Sequence, residues 1–314
     1  MIRLATAFTL LLTVGRAPAA DAEPAAGASG VTPFVSYARE APASRLRLAL
    51  HARFGVTTAP FYTEAFPEVR GQGFAGILSG SYRLSADDEA GILLPAAALQ
   101  VRQPAGAYVN ELTRGNPALF AAHQRIVRDD FTSTFRYITR LTLALPLSED
   151  GPTGSLMSNR ALTIASALEG WRAQEFYSAG RLSIVPCVGL AYDRARISVQ
   201  ASITLPVLFR LSRAALPSST DTHVIGFTPV LDTSLAVRVA GWFVSALRAD
   251  LVLDAVPPVE RARGSTRLAL VVLEPELAFR LSRDLGLAVD FMAPVAGALA
   301  GTTYAGSLRL TTLW

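Results

Sequence analysis

The chain has 314 residues, 51% of them hydrophobic and 17% charged, with a formal net charge of +4. Past the first dozen residues no apolar run reaches the ~18 residues of a membrane helix, so if a membrane takes up this hydrophobicity it does so through strands. All 29 basic residues are arginine and none forms a basic run interleaved with aromatics, which gives no ground for a nucleic-acid partner.

The N-terminus has the layout of a secretory signal. Arg3 is the positive charge, Leu4 to Val14 the apolar stretch and Ala17-Pro18-Ala19 the small-residue cleavage site, with Ala20-Asp21-Ala22 as an alternative. The stretch is too short for a membrane anchor. Residues 1–19 are therefore expected to be removed on export. Residues 20–44, rich in Ala, Pro and Gly, form a leader, and 45–314 carry the folded part. Cys187, the only cysteine, rules out an intrachain disulfide and reads as a small packed side chain.

From Arg45 the pattern is alternation. Successive side chains of a strand point to opposite faces. The first ribbon, Arg45 to Val56, sets Leu46, Leu48, Leu50, Phe54 and Val56 against Arg45, Arg47, His51 and Arg53. Gly73 to Leu84 repeats the pattern, and Gly91 to Arg102 blurs it with Pro95 and alanines. The clearest ribbon, Phe131 to Leu147, puts Phe135, Tyr137, Leu141, Leu143 and Leu145 opposite Arg136, Ile138 and Arg140. Asn159 to Gly170 is a weak fifth. Then come Arg181–Tyr192, Arg196–Leu211, and five more in the stretches 225–239, 243–255, 267–281, 287–295 and 304–314, about twelve in all. Gln103–Asp130 is left as the longest loop. Within it Asn116 has the chemistry of a helix cap and Pro117 that of a first helical residue. Leu119, Ala122, His123, Ile126 and Val127 fall on one helical face, so a short helix is expected there.

Connections alternate between tight turns (85–90, 193–195, 240–242, 282–286, with 148–158 and its Asp-Gly-Pro as the longest of that set) and mostly longer loops (57–72, 103–130, 212–222, 256–266). A soluble sandwich also alternates. Three facts favour a closed all-β, antiparallel up-and-down transmembrane barrel: strands of spanning length, charges confined to the face opposite the apolar set, and a last strand ending on Trp314 with Tyr304, Gly306, Leu308, Leu310 and Thr312 on its parity. Backbone groups facing lipid cost several kcal/mol each, so spanning strands must close on themselves. Here the sequence resembles bacterial outer-membrane β-barrel proteins of the porin-like class, without resembling one named family. That resemblance implies both termini in the periplasm, a location in the outer membrane of a Gram-negative bacterium, contact with its lipids and assembly through machinery that reads the Trp314 strand. It leaves the number of subunits open.

The parity opposite the apolar set then lines a lumen. Arg45, Arg47, His51, Arg53, Arg83, Arg102, Arg136, Arg140 and Arg309 group as a basic wall; Asp232, Asp250, Asp254, Glu274, Glu276 and Asp290 group as an acidic one. Such walls either orient charged and polar solutes in a wet pore or pair across a narrow lumen and plug it. Arg125 and Arg128 on the long loop are candidates for a constriction if that loop folds inward; otherwise it caps the mouth. Asp221-Thr222-His223 with Asp129-Asp130 bears a slight resemblance to the aspartate and Asp–His pairs of omptin-type outer-membrane proteases, and Ser218 and Ser219 point to a lipase more weakly still. A closed barrel holding a partner is the remaining class. No catalytic residue, metal set or cofactor motif is assigned.

Overall fold

The computed structural model describes residues 45–57, 71–102, 108–130, 133–148, 156–178, 180–210, 225–253, 269–297 and 299–313. The expected signal, leader, Trp314, Asp254 and the Ser218, Ser219, Asp221 and His223 loop lie outside these residues.

Fifteen strand segments form one antiparallel sheet: β1 (Leu46–Thr57), β2 (Gly71–Arg83), β3 (Asp88–Arg102), β4 (Tyr108–Arg114), β5 (Ala118–Asp130), β6 (Ser133–Ala144), β7 (Arg181–Arg194), β8 (Ile197–Thr204), β9 (Val207–Arg210), β10 (Ile225–Phe227), β11 (Val230–Ala240), β12 (Phe243–Leu253), β13 (Ala269–Arg280), β14 (Leu285–Ala296) and β15 (Thr303–Leu313). β1 pairs with both β2 and β15, so the sheet is closed. Three barrel strands are each broken once, at a proline, because an imide nitrogen cannot donate to the ladder. Pro117 divides β4 from β5, Pro206 divides β8 from β9, and Pro229 divides β10 from β11. Both halves of each broken strand pair along one neighbour: β4 and β5 on β3, β8 and β9 on β7. Counted this way the barrel has twelve strands.

The short connections (84–87, 131–132, 195–196, 241–242, 281–284) share one end with Leu46, and the long ones the other. They are called here the turn end and the loop end. The outward parity exposes Leu141, Leu190, Ile203, Leu235, Leu247 and Val289; the inward parity buries Arg136, Arg140, Gln200, Ser202, Asp232 and Glu274. Exposed aromatics fall into two bands, Tyr82, Tyr137, Tyr192 and Trp242 toward the turn end and Phe54, Phe227, Phe291 and Tyr304 toward the loop end. Such girdles mark the two interfaces of a bilayer.

The strand count agrees with the expectation of about twelve, but through two errors that cancel. The short helix expected from Pro117 to Arg128 is absent, and Ala118–Asp130 is β5, with Phe120 and Gln124 inward and Leu119 outward. The fifth ribbon, Asn159–Gly170, is instead part of helix α1 (Leu156–Leu168). From Ala161 to Leu168 only Thr163 is less than fully buried. A helix turn buried on nearly every side carries neither a period of 2 nor one of 3.6, which is why its pattern is weak.

Candidate functional site

The segment between β6 and β7 leaves the barrel at the loop end and folds back into it. Its helix α1, a turn at Glu169–Ala173 and the short helix α2 (Gln174–Tyr177) pack against the inner wall, burying Leu162, Ile164, Leu168, Trp171 and Phe176 with Ile77, Leu93, Leu99, Val272 and Met292. Two facing glycines, Gly55 and Gly73, make room for the helix. A Cβ on Gly73 would stand 2.5 Å from Ile164 Cγ2, and one on Gly55 2.6 Å from Leu168 Cδ2. The helix stops in a Schellman turn: Gly170 at φ +61° donates to the Ala167 carbonyl and Trp171 to that of Ser166. Asn116, expected to cap a helix of its own, clamps both legs of this segment instead. It is fully buried in the break between β4 and β5. Its Nδ2 donates to the carbonyls of Glu175 (3.1 Å) and Ser178 (2.7 Å), and its Oδ1 accepts from the Ser148 amide (3.0 Å).

Among its described side chains the segment brings three charges, Glu169, Arg172 and Glu175, into the lumen. Arg172 is held in a carboxylate cage: it pairs with Asp250, and donates to both oxygens of Glu274 at 2.8 and 2.6 Å. Its Nε donates to the Glu169 carbonyl at 2.8 Å. The same carboxylates are shared with the wall. Arg248 pairs with Asp232, with Asp250 at 3.0 Å and with Glu274 at 3.4 Å. Arg53 reaches Glu274 at 2.7 Å and Asp290 at 3.1 Å, and donates to the Leu168 carbonyl at 3.1 Å, capping the negative end of α1. Arg309 pairs with Glu276 at 2.9 Å. All of these side chains are buried. A buried charge stripped of its partner is costly, so this network fixes the segment to the wall.

Around the other side of the lumen the charges are sparser. Arg136 pairs with Asp193 and donates to Gln124 at 3.4 Å. Arg140 lies over the Phe120 ring, 4.0 Å from its centroid, and donates to Thr142 at 3.2 Å. The carboxyl of Glu175 faces it from the inserted segment and is pushed up to about 7 by burial, against the pull of Arg140. On β7, β8 and β11, Ser183 Oγ, Gln200 Nε2 and Asp232 Oδ1 are buried with no hydrogen-bond partner among the described residues. Polar groups in that state call for water or solute.

The structure therefore interleaves the two expected walls. Arg53 and Arg309 join the carboxylates, with Arg248 and Arg172 among them, whereas Arg136 and Arg140 stand apart. Arg47, His51 and Arg83 are half-buried and Arg45 is exposed, its guanidinium 3.5 Å from the Tyr82 hydroxyl. The side chain of Arg102 lies outside the described residues. Arg125 and Arg128 are exposed on β5, and line no constriction. Asp129 and Asp130 end β5 at the turn end. Arg172 is the residue sequence reasoning missed. Its signal is Glu169, Arg172 and Glu175, three charges at intervals of three in an otherwise apolar stretch.

Comparison with known proteins finds this architecture rather than a family. No family model matches, and no curated protein matches. Among solved structures, an outer membrane channel of Pseudomonas putida F1 superposes with a TM-score of 0.60 at 10% identity, over 88% of this chain and 97% of that one. The NanC porin is matched with a TM-score of 0.42 at 9% identity, over 84% and 99%. The chain thus has the fold of an outer-membrane channel barrel.

Proposed function

We propose that the protein is an outer-membrane channel for small polar or charged solutes, narrowed from within by residues 156–178. The observation that carries this reading is the lumen itself. A closed wall that exposes leucine outward buries an arc of Gln124, Arg136, Arg140, Gln200, Ser202 and Asp232 inward, where Gln200 Nε2 and Asp232 Oδ1 have no hydrogen-bond partner among the described residues. A barrel meant only to be solid would fill that arc with apolar side chains, because orphaned polar groups cost about 1–3 kcal/mol each. The carboxylate-rich arc facing the sparser Arg136 and Arg140 side would bias which charged solutes enter. In this reading residues 1–19 direct export, and the strand ending at Trp314 is handed to the barrel-assembly machinery.

The test is planar-bilayer recording of the refolded protein and of a variant lacking residues 150–178, with reversal potentials in asymmetric salt. Small steps from the parent and larger ones from the deletion are expected. Silence from both would overturn the channel reading. It would favour the second one, a closed barrel that displays or holds a partner, for which the buried packing of Leu162, Leu168 and Phe176 speaks.

A further inference from the structure

The residues expected at a constriction sit on the outside of the barrel, and their arrangement there is specific. On β5, Leu119, Ala121, His123 and Arg125 share the outward parity. An unbroken strand would turn Arg128 inward. Instead the register with β6 shifts between Ile126 and Arg128, so that Val127 is an extra residue: Arg125 lies opposite Tyr137, and Arg128 opposite Phe135. Both partners belong to the outward parity of β6. The bulge has re-aimed Arg128, and the two arginine side chains now leave the strand on one face, from positions about 7 Å apart along it.

That face looks into the membrane at the turn-end aromatic band. Across β6, Phe135 is registered with Tyr192 and Tyr137 with Leu190, all outward. Asp88 accepts from Ser85 at 2.6 Å and pairs with His123 at 2.9 Å, Asp129 accepts from Thr134 at 3.0 Å, and Arg128 and Asp129 each have a further interaction. Arg125 is exposed and has no hydrogen bond or ion pair among the described residues. Charge on the lipid face costs little only near the interface, where phosphate oxygens are at hand. Guanidinium forks match phosphate in geometry and charge, and flanking tyrosines suit the headgroup level.

We propose that Arg125 and Arg128, brought onto one outward face by the bulge at Val127, bind the phosphate of an anionic phospholipid headgroup. The site rests on the barrel facing lipid, and is independent of whether the lumen conducts.

The test is titration of the detergent-solubilised barrel with phosphatidylglycerol, followed by native mass spectrometry of bound lipid and by thermal stabilisation. Arg125→Gln/Arg128→Gln should weaken the tightest lipid-binding step by about thirtyfold, as expected for two interfacial arginines. Arg196→Gln/Arg283→Gln, which removes the same charge from two turns elsewhere on the rim, should leave that step unchanged. Equal lipid binding by both double variants and the parent would overturn the proposal. So would equal stabilisation by inorganic phosphate, which would mean that the site does not require a lipid. Bilayer recordings of the same variants separate this outcome from failure of the channel reading.

Discussion

Replacing Arg172 with methionine tests how the inserted segment is held. In the parent its guanidinium meets Asp250 and both oxygens of Glu274, all buried. Methionine preserves much of the volume and removes the charge. Removing one member of a buried ion pair costs about 3–5 kcal/mol. Glu274 keeps Arg53 at 2.7 Å and Asp250 keeps Arg248 at 3.0 Å, so the lower end applies. About 3 kcal/mol shifts the ratio of docked to undocked segment by about a hundredfold or slightly more. Because β6 and β7 are paired with other strands, the barrel itself should still fold, which heat-dependent gel mobility would verify. Single-channel recording should then show a larger open fraction for Arg172→Met. Arg172→Lys should fall between the two, since it keeps the charge but loses the bidentate fork. A folded Arg172→Met barrel with the same conductance and open fraction as the parent would refute the anchoring role.

Two further outcomes follow from the same segment. Glu175 is held near pH 7 when docked, against an ordinary value of 4.5, chiefly because it is buried. An acid whose value is raised on docking favours the docked state while protonated. That advantage is complete below about pH 4.5 and is lost as the pH rises to about 7, a change of about 3 kcal/mol. Open fraction should therefore rise over that window. Glu175→Gln should reduce the slope, leaving what Glu169 contributes, since burial raises its value as well; an unchanged slope would contradict the assignment. Gly73→Val places side-chain atoms where Ile164 and Leu168 now lie, at 2.5 and 3.0 Å from the new Cβ. Overpacking of this kind costs about 1–3 kcal/mol, while valine itself suits a strand. Conductance should increase without loss of barrel stability, and an unaltered conductance would place the helix elsewhere.

How far the sequence reveals this molecule depends on what each strand faces. β6 and β8 are legible because one side meets an apolar medium and the other a charged lumen, so polarity and parity coincide. β5 is not: toward the turn end its outward positions are His123, Arg125 and Arg128, and the bulge at Val127 breaks the parity. The inward parity identified Arg53, Arg136, Arg140, Asp232, Asp250, Glu274, Glu276, Asp290 and Arg309 as groups the barrel buries. Their pairing is not legible from parity, because it depends on Arg172 arriving from a helical segment that shares no register with the strands. Asn116 shows the same limit. Asn-Pro is cap chemistry in one dimension, yet in the fold that amide joins two legs of a distant segment, Ser148 on one and Glu175 and Ser178 on the other.

The central claim is that the leucine-bearing parity meets lipid and the charged parity does not. Its most direct measurement is fluorescence quenching by lipids brominated on the acyl chain, with Leu235→Trp as the outward probe and Ala236→Trp as the inward one. The account predicts strong quenching at 235 and little at 236, as Leu235 is 48% exposed and Ala236 8%. Equal quenching, or stronger quenching at 236, would contradict it.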